Sequence, residues 1–187
     1  MLGPYQMDHS VPIRPQRKRL RWSEHDYSAP AMYFVTTCVH DRACLFGEVI
    51  GDNVRRTPYG DAVETCWRAI PDHFRHAALD VWVTMPNHFH GILTVVGAEH
   101  ARPDPEQARP DQSHSRPGHP PVSIVVRSFK SAVTKRINEL RGTPGTVVWQ
   151  RSFHEHVIRD HADLIRIRNY IADNPAQWAY DDENPSP

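Results

Sequence analysis

The order of apolar runs along the chain predicts an α+β fold. The expected core is a ferredoxin-like split unit, an antiparallel sheet with two helices on one face, followed by an added C-terminal helix. Three observations predict it. Short β-branched and aromatic runs alternate with stretches of helical period in the order strand, helix, strand, strand, helix, strand. A further amphipathic stretch closes the chain. The length of 187 residues, with 39% hydrophobic and 24% charged, suits one soluble globular domain.

Taking the elements in order, residues 1–29 read as an extended basic arm, in which Arg14, Arg17, Lys18, Arg19 and Arg21 crowd together. The domain proper is expected over 30–180. Its first strand is 33–39, apolar on both faces. Thr57-Pro58 then opens a helix, threonine as cap and proline at the first helical position. Val63, Cys66, Trp67 and Ile70 form its core-facing stripe. Runs 79–85 and 89–96 follow, with Pro86-Asn87 between them as a hairpin turn.

Residues 98–121 carry six prolines and the triplet Arg-Pro-Asp twice, and are expected to form a mobile loop inserted in the domain. A second helix is predicted over 123–140, with Ile124, Val125, Phe129, Val133 and Ile137 buried and Lys130, Lys135 and Arg136 on its basic side. The last strand is expected around 153–158. Asp160 caps a final helix whose stripe is Leu164, Ile167 and Ile171, ending at or just before Pro175. Asp181, Asp182 and Glu183 mark an acidic tail over 181–187.

Several function classes lose support from composition. The formal charge is zero, with 22 basic and 22 acidic residues, so the total argues for no general polyanion coat; the local arm can still neutralise phosphates. No run approaches the roughly 20 apolar residues that cross a bilayer. No basic-then-apolar leader is evident at the N-terminus, so a cytoplasmic location without membrane attachment is expected. Cys38, Cys44 and Cys66 form no C-x-x-C pair, which speaks against a disulfide framework or a cysteine zinc site.

The chemistry-bearing segment is Pro86-Asn87-His88-Phe89-His90-Gly91. On a strand, His88 and His90 share one face while Phe89 points the other way. Two imidazoles so placed can bind one divalent metal; the same pattern also occurs as plain surface polarity. A second such pair, His154-Glu155-His156, lies on the last strand, so counting histidines does not choose between them. The last helix adds Tyr170 and Asn174, one turn apart on the border of its apolar stripe. From there Asn174 can offer an amide oxygen to a metal on His88 and His90, with Tyr170 beside it. A tyrosine at such a border also serves simply in packing.

Together these pieces resemble a known family. PNHFHGIL over 86–93, Trp149-Gln150-Arg151, and Tyr170-Ile171-Ala172-Asp173-Asn174-Pro175 are similar to the REP-associated tyrosine transposases. These belong to the single-tyrosine insertion-sequence transposases of the HUH (His–hydrophobic–His) nuclease superfamily. Tyr27-Ser28, residues 33–37, His40-Asp41-Arg42, residues 45–48, Ser128-Phe129-Lys130 and residues 156–159 extend the likeness, which covers about 17–178 outside the proline-rich loop. His154 departs from the family, where an aromatic residue is expected.

The resemblance implies a role for each matched residue. His88, His90 and Asn174 become the metal ligands and Tyr170 the nucleophile on the added helix. Two nitrogens and an amide oxygen without thiolate fit magnesium or manganese, with zinc also able to bind. The implied reaction cuts single-stranded DNA near a hairpin of palindromic repeats, leaving a 5′-phosphotyrosine and a free 3′-hydroxyl that can rejoin DNA. Arg17, Lys18, Arg19, Arg21, Lys130, Lys135, Arg136 and Arg151 are candidate DNA contacts, each also readable as an ordinary solvated charge. Trp149 is read as a core residue ahead of a base-stacking one. The family includes dimers and monomers, so both states stay open. Rival readings are a replication-initiator or relaxase-type HUH nickase, a catalytically silent ferredoxin-like nucleic-acid-binding module, and a structural zinc module.

Overall fold

The computed structural model describes residues 31–95 and 122–185. The basic arm, with Arg17, Lys18, Arg19 and Arg21, and the 98–121 segment lie outside the described residues.

A four-stranded antiparallel sheet forms from β1 (Ala31–Cys38), β4 (Ala77–Thr84), β5 (His88–Val95) and β6 (His154–Ile158) in the order β4-β5-β1-β6. Those strands, taken in chain order as one to four, give the order 2-3-1-4 of the ferredoxin-like unit. Between β1 and the first helix, β2 (Gly47–Ile50) and β3 (Asn53–Arg56) pair as a separate hairpin, which the sequence reading had not assigned. Its turn, Gly51-Asp52, uses the left-handed φ of Gly51, 60°, and a glycine at the first central position suits such two-residue loops.

Helices α1 (Pro58–Arg68) and α3 (Val122–Arg141) cover one face of the sheet. Thr57 caps α1 as expected, its hydroxyl accepting from Gly60 N at 3.3 Å. The predicted stripe through Ile70 is broken: α1 stops at Arg68, and Ile70 starts a short helix, α2 (Ile70–His73). Pro71 explains the break, since it offers no N–H to continue the ladder. A second correction concerns Ile124, expected in the core but 43% exposed. The buried face of α3 is Val122, Val125, Val126, Phe129, Val133 and Ile137, and Ile124 lies about 100° around the helix from Val125.

Between these helices and the sheet, Tyr33, Val35, Trp67, Phe89, Leu93, Phe129 and Ile137 form the main core. Trp67 touches Phe89 and Phe129, with ring centroids at 4.6 and 5.1 Å. Gly91 faces the same layer: a Cβ there would stand 2.7 Å from Trp67 Cζ2 and 2.9 Å from Phe89 Cε1. On the opposite face, α4 (His161–Asp173) buries Ile167 and Ile171 on Ile92, with Met32, Phe34 and Val83 around them. β5 is thus covered on both sides, and every residue in it except Thr94 is buried. No helix among the described residues is long and apolar enough to cross a membrane.

Candidate metal and nucleophile site

The site grows from the alternation of β5. With Phe89 locked into the aromatic core, His88 and His90 must face α4, and both are buried, at 0% and 5% exposure. Their rings stand edge to face at 4.6 Å. Each Nδ1 is held from behind: that of His88 by Asn87 Oδ1 at 2.9 Å, that of His90 by Thr36 Oγ1 at 2.8 Å. Phe34, next along the same face of β1, stacks on His90 at 5.3 Å.

The other half comes from α4. Asp160 caps the helix through Asp163 N at 2.8 Å. Arg168 ties the helix to β4 through the carboxylate of Asp80, its Nε at 3.1 Å. Asn174 keeps helical angles at the C-cap although Pro175 follows, and it is buried. Its Oδ1 lies 3.4 Å from His88 Nε2, and Tyr170 Oη lies 3.4 Å from His90 Nε2. Tyr170 rests edge-on against Phe34, centroids 5.9 Å apart, and is 40% exposed. His88, His90, Asn174 and Tyr170 therefore meet at one place.

Burial sets the electrostatics. It pushes His88 below the usual imidazole range, the carboxylate of Asp181 opposing the shift. His90 is pushed well below that range by burial, then by its neighbours His88 and His154. Both rings are neutral at pH 7, the form that ligates metals. Burial and the Asp181 carboxylate push the Tyr170 phenol up to about 12. Among the described residues no three His, Cys, Asp or Glu side chains gather as a metal cluster, so a metal held here by three side chains would need the amide of Asn174 beside the two imidazoles. Two neutral imidazole nitrogens with one amide oxygen fit a divalent cation that retains open positions for oxygen ligands.

The residues read as an acidic tail dock against this site. After a 3-10 turn, Trp178–Tyr180, the Asp181 carboxylate comes 3.9 Å from His88 Nε2, and the Trp178 ring lies 5.9 Å from that of His88. Arg42 donates to the Asp182 carbonyl at 2.8 Å and pairs with the Glu183 carboxylate at 3.2 Å.

The second pair, His154 and His156, lies on edge strand β6, also on the α4 face. His154 pairs in register with Thr36, directly across β1 from His90. His156 is engaged by Asp163 at 2.9 Å. Among the described residues the predicted DNA contacts Lys130, Lys135, Arg136 and Arg151 do not gather with the site. Lys135 and Arg136 are exposed on α3, in the helix layer across the sheet, and Arg151 is exposed in the loop before β6. Lys130 donates to the carbonyls of Gln150 and Ser152 at 2.8 and 3.0 Å, which ties α3 to that loop. Trp149 is a core residue, 5% exposed and packed on Phe46 at 5.1 Å. Sequence reading missed Thr36, Phe34 and Asn87, whose roles depend on cross-strand register and turn geometry.

No family model matches the chain. A functionally uncharacterised protein of Haemophilus influenzae is 32% identical over 166 residues, covering 88% of this chain and 91% of that protein. The chain belongs to that protein's family. Among solved structures, a REP-associated tyrosine transposase bound to a REP hairpin is similar, with 20% identity and a TM-score of 0.49 over 79% of this chain and 67% of that one. A Deinococcus radiodurans protein with a provisional transposase assignment gives 15% identity and 0.44, over 79% and 92%. At that degree of overlap neither structure speaks to chemistry, which rests on the side chains.

Proposed function

We propose that this chain is a single-tyrosine DNA transposase, a metal-dependent endonuclease that cuts and rejoins single-stranded DNA beside hairpins. What supports the reading is the convergence of four residues from β5 and α4, 80 or more positions apart in sequence, with Tyr170 Oη 3.4 Å from His90 Nε2 and Asn174 Oδ1 3.4 Å from His88 Nε2. The motifs quoted for the family fall on these residues.

His88, His90 and Asn174 would hold magnesium or manganese, which supplies charge stabilisation at a phosphoryl oxygen and favours phenolate character nearby. The residues themselves do the rest. Phe34 and α4 hold the Tyr170 oxygen beside the histidine pair, where it would attack phosphorus opposite the leaving 3′-oxygen. The Tyr170 O–P bond forms as the P–O3′ bond breaks; the phenol loses its proton and the 3′-oxygen gains one. The product is a 5′-phosphotyrosine, and attack by a 3′-hydroxyl reverses the step without ATP. With its phenol held at about 12 by burial and Asp181, Tyr170 by itself is a poor nucleophile at neutral pH, and a cation held by His88, His90 and Asn174 would favour its phenolate.

The test uses end-labelled single-stranded hairpin oligonucleotides with manganese. The parent should give a denaturant-stable protein–DNA adduct and Tyr170→Phe none. Adducts persisting in Tyr170→Phe would move the nucleophile elsewhere. Binding without cleavage by both proteins across a broad oligonucleotide pool would put the silent binding module in its place.

A further inference from the structure

Asn87 occupies the hairpin turn before the histidine pair and is 1% exposed. All of its side-chain polar atoms are engaged. Nδ2 lies 3.0 Å from the Arg42 carbonyl and 2.6 Å from the Glu183 carbonyl, and Oδ1 lies 2.9 Å from His88 Nδ1. The two carbonyls decide the amide's orientation, since turning it over would set its oxygen against two other oxygens. One of these carbonyls is delivered by strained backbone: Asp41 and Arg42 both take a left-handed φ of 56°, which costs energy in residues other than glycine. With Oδ1 thereby fixed as an acceptor, His88 Nδ1 has to be the donor. The neutral ring then carries its proton on Nδ1 and turns the Nε2 lone pair toward Asn174 Oδ1, 3.4 Å away.

We infer that Asn87 is a positioning residue that fixes His88 as its Nδ1–H tautomer, presenting Nε2 as a ready ligand atom. In this arrangement His88 Nε2 faces two further acceptors, Asn174 Oδ1 at 3.4 Å and the Asp181 carboxylate at 3.9 Å, which a cation among them satisfies. The turn residue acts through His88 and is not itself a ligand. Neighbours that fix the tautomer of a ligating histidine typically account for about 10–100-fold in metal affinity.

The tautomer can be read without metal or DNA. In full-length protein labelled with ¹⁵N at histidine, long-range proton–nitrogen correlation spectra taken above pH 7 should show His88 with a protonated Nδ1 and a bare Nε2. Asn87→Ala should lose that preference. Asn87→Asp still offers Nδ1 an acceptor but sets its second oxygen against the Arg42 and Glu183 carbonyls, so it should keep the tautomer at a cost in stability. His88 protonated at Nε2 in the parent would overturn the inference, and so would an unchanged tautomer in a folded Asn87→Ala. The parent spectrum decides even if neither variant folds. Manganese titration followed by electron paramagnetic resonance gives the second readout, with Asn87→Ala expected to bind about 10–100-fold more weakly. This readout alone rests on the proposed metal site. A parent that binds no manganese yet shows the Nδ1–H tautomer would sink the functional reading and leave the role of Asn87 standing.

Discussion

The sheet carries two H-x-H strands on one face, and their surroundings differ. β5 is a central strand whose middle residue, Phe89, is sealed between Trp67 and Phe129, at 4.6 and 5.3 Å. That anchorage leaves its histidines no choice of face, and the C-terminal end of α4 closes over them. β6 is an edge strand with Glu155 in the middle. Its His154 is exposed, and its His156 is paired with Asp163 near the N-terminal end of α4. The same three-residue pattern thus becomes a buried pair of neutral imidazoles in one place and a half-solvated polar edge in the other. What separates them is the hydrophobicity of the residue between and the rank of the strand in the sheet.

Substitutions can break or sharpen this contrast. The largest expected effect is on cleavage: His90→Ala should lower the rate by about a thousand-fold or more through loss of charge stabilisation at phosphorus. His154→Ala should stay within about a factor of three. Equal losses in the labelled-oligonucleotide assay would erase the distinction. Next, Phe89→Ala should destabilise the protein by about 3–5 kcal/mol in denaturant titrations, as expected for emptying a sealed aromatic site; a loss near zero would show that the strand does not depend on its anchor. Asp160→Ala removes the cap of α4 and should cost about 1 kcal/mol, with manganese affinity unchanged if the metal end of the helix is independent of its β6 end.

The smallest effect is on the pH dependence of metal-free protein. His88 and His90 are depressed below their unfolded value by burial, so between the folded and unfolded pKa the unfolded chain binds more protons. Their contribution to stability is present above about pH 6.5 and is lost as pH falls through the folded values. His154 is also lowered by burial. Thermal midpoints should flatten more with His90→Gln than with His154→Gln.

Much of this architecture is legible in the sequence because strand and helix periods are strong wherever an element has a core to face. β5 and α4 announce themselves in that way. The β2–β3 hairpin does not, since Glu48, Arg55 and Arg56 are exposed and the hairpin stands apart from the main sheet. The candidate ligands follow from alternation and from one helical turn. Their supports do not: Phe34 and Thr36 meet His90 through strand register, and Asn87 acts through carbonyls 45 positions before it and 96 after it. Asp181, Asp182 and Glu183 look like a solvated charge run, because acidity alone says nothing of Arg42 and Asn87 waiting for their backbone.

Gly91 has a consequence for how the protein tolerates inherited change. Behind the histidine strand stands an aromatic wall without slack, since a single added carbon would meet Trp67 at 2.7 Å. A methyl group at residue 91 would require the Trp67 and Phe89 rings, or the strand itself, to shift. On the proposed function, an alanine allele there would weaken cleavage with His88, His90, Tyr170 and Asn174 all intact, the fault lying on the side of the sheet that faces the helices.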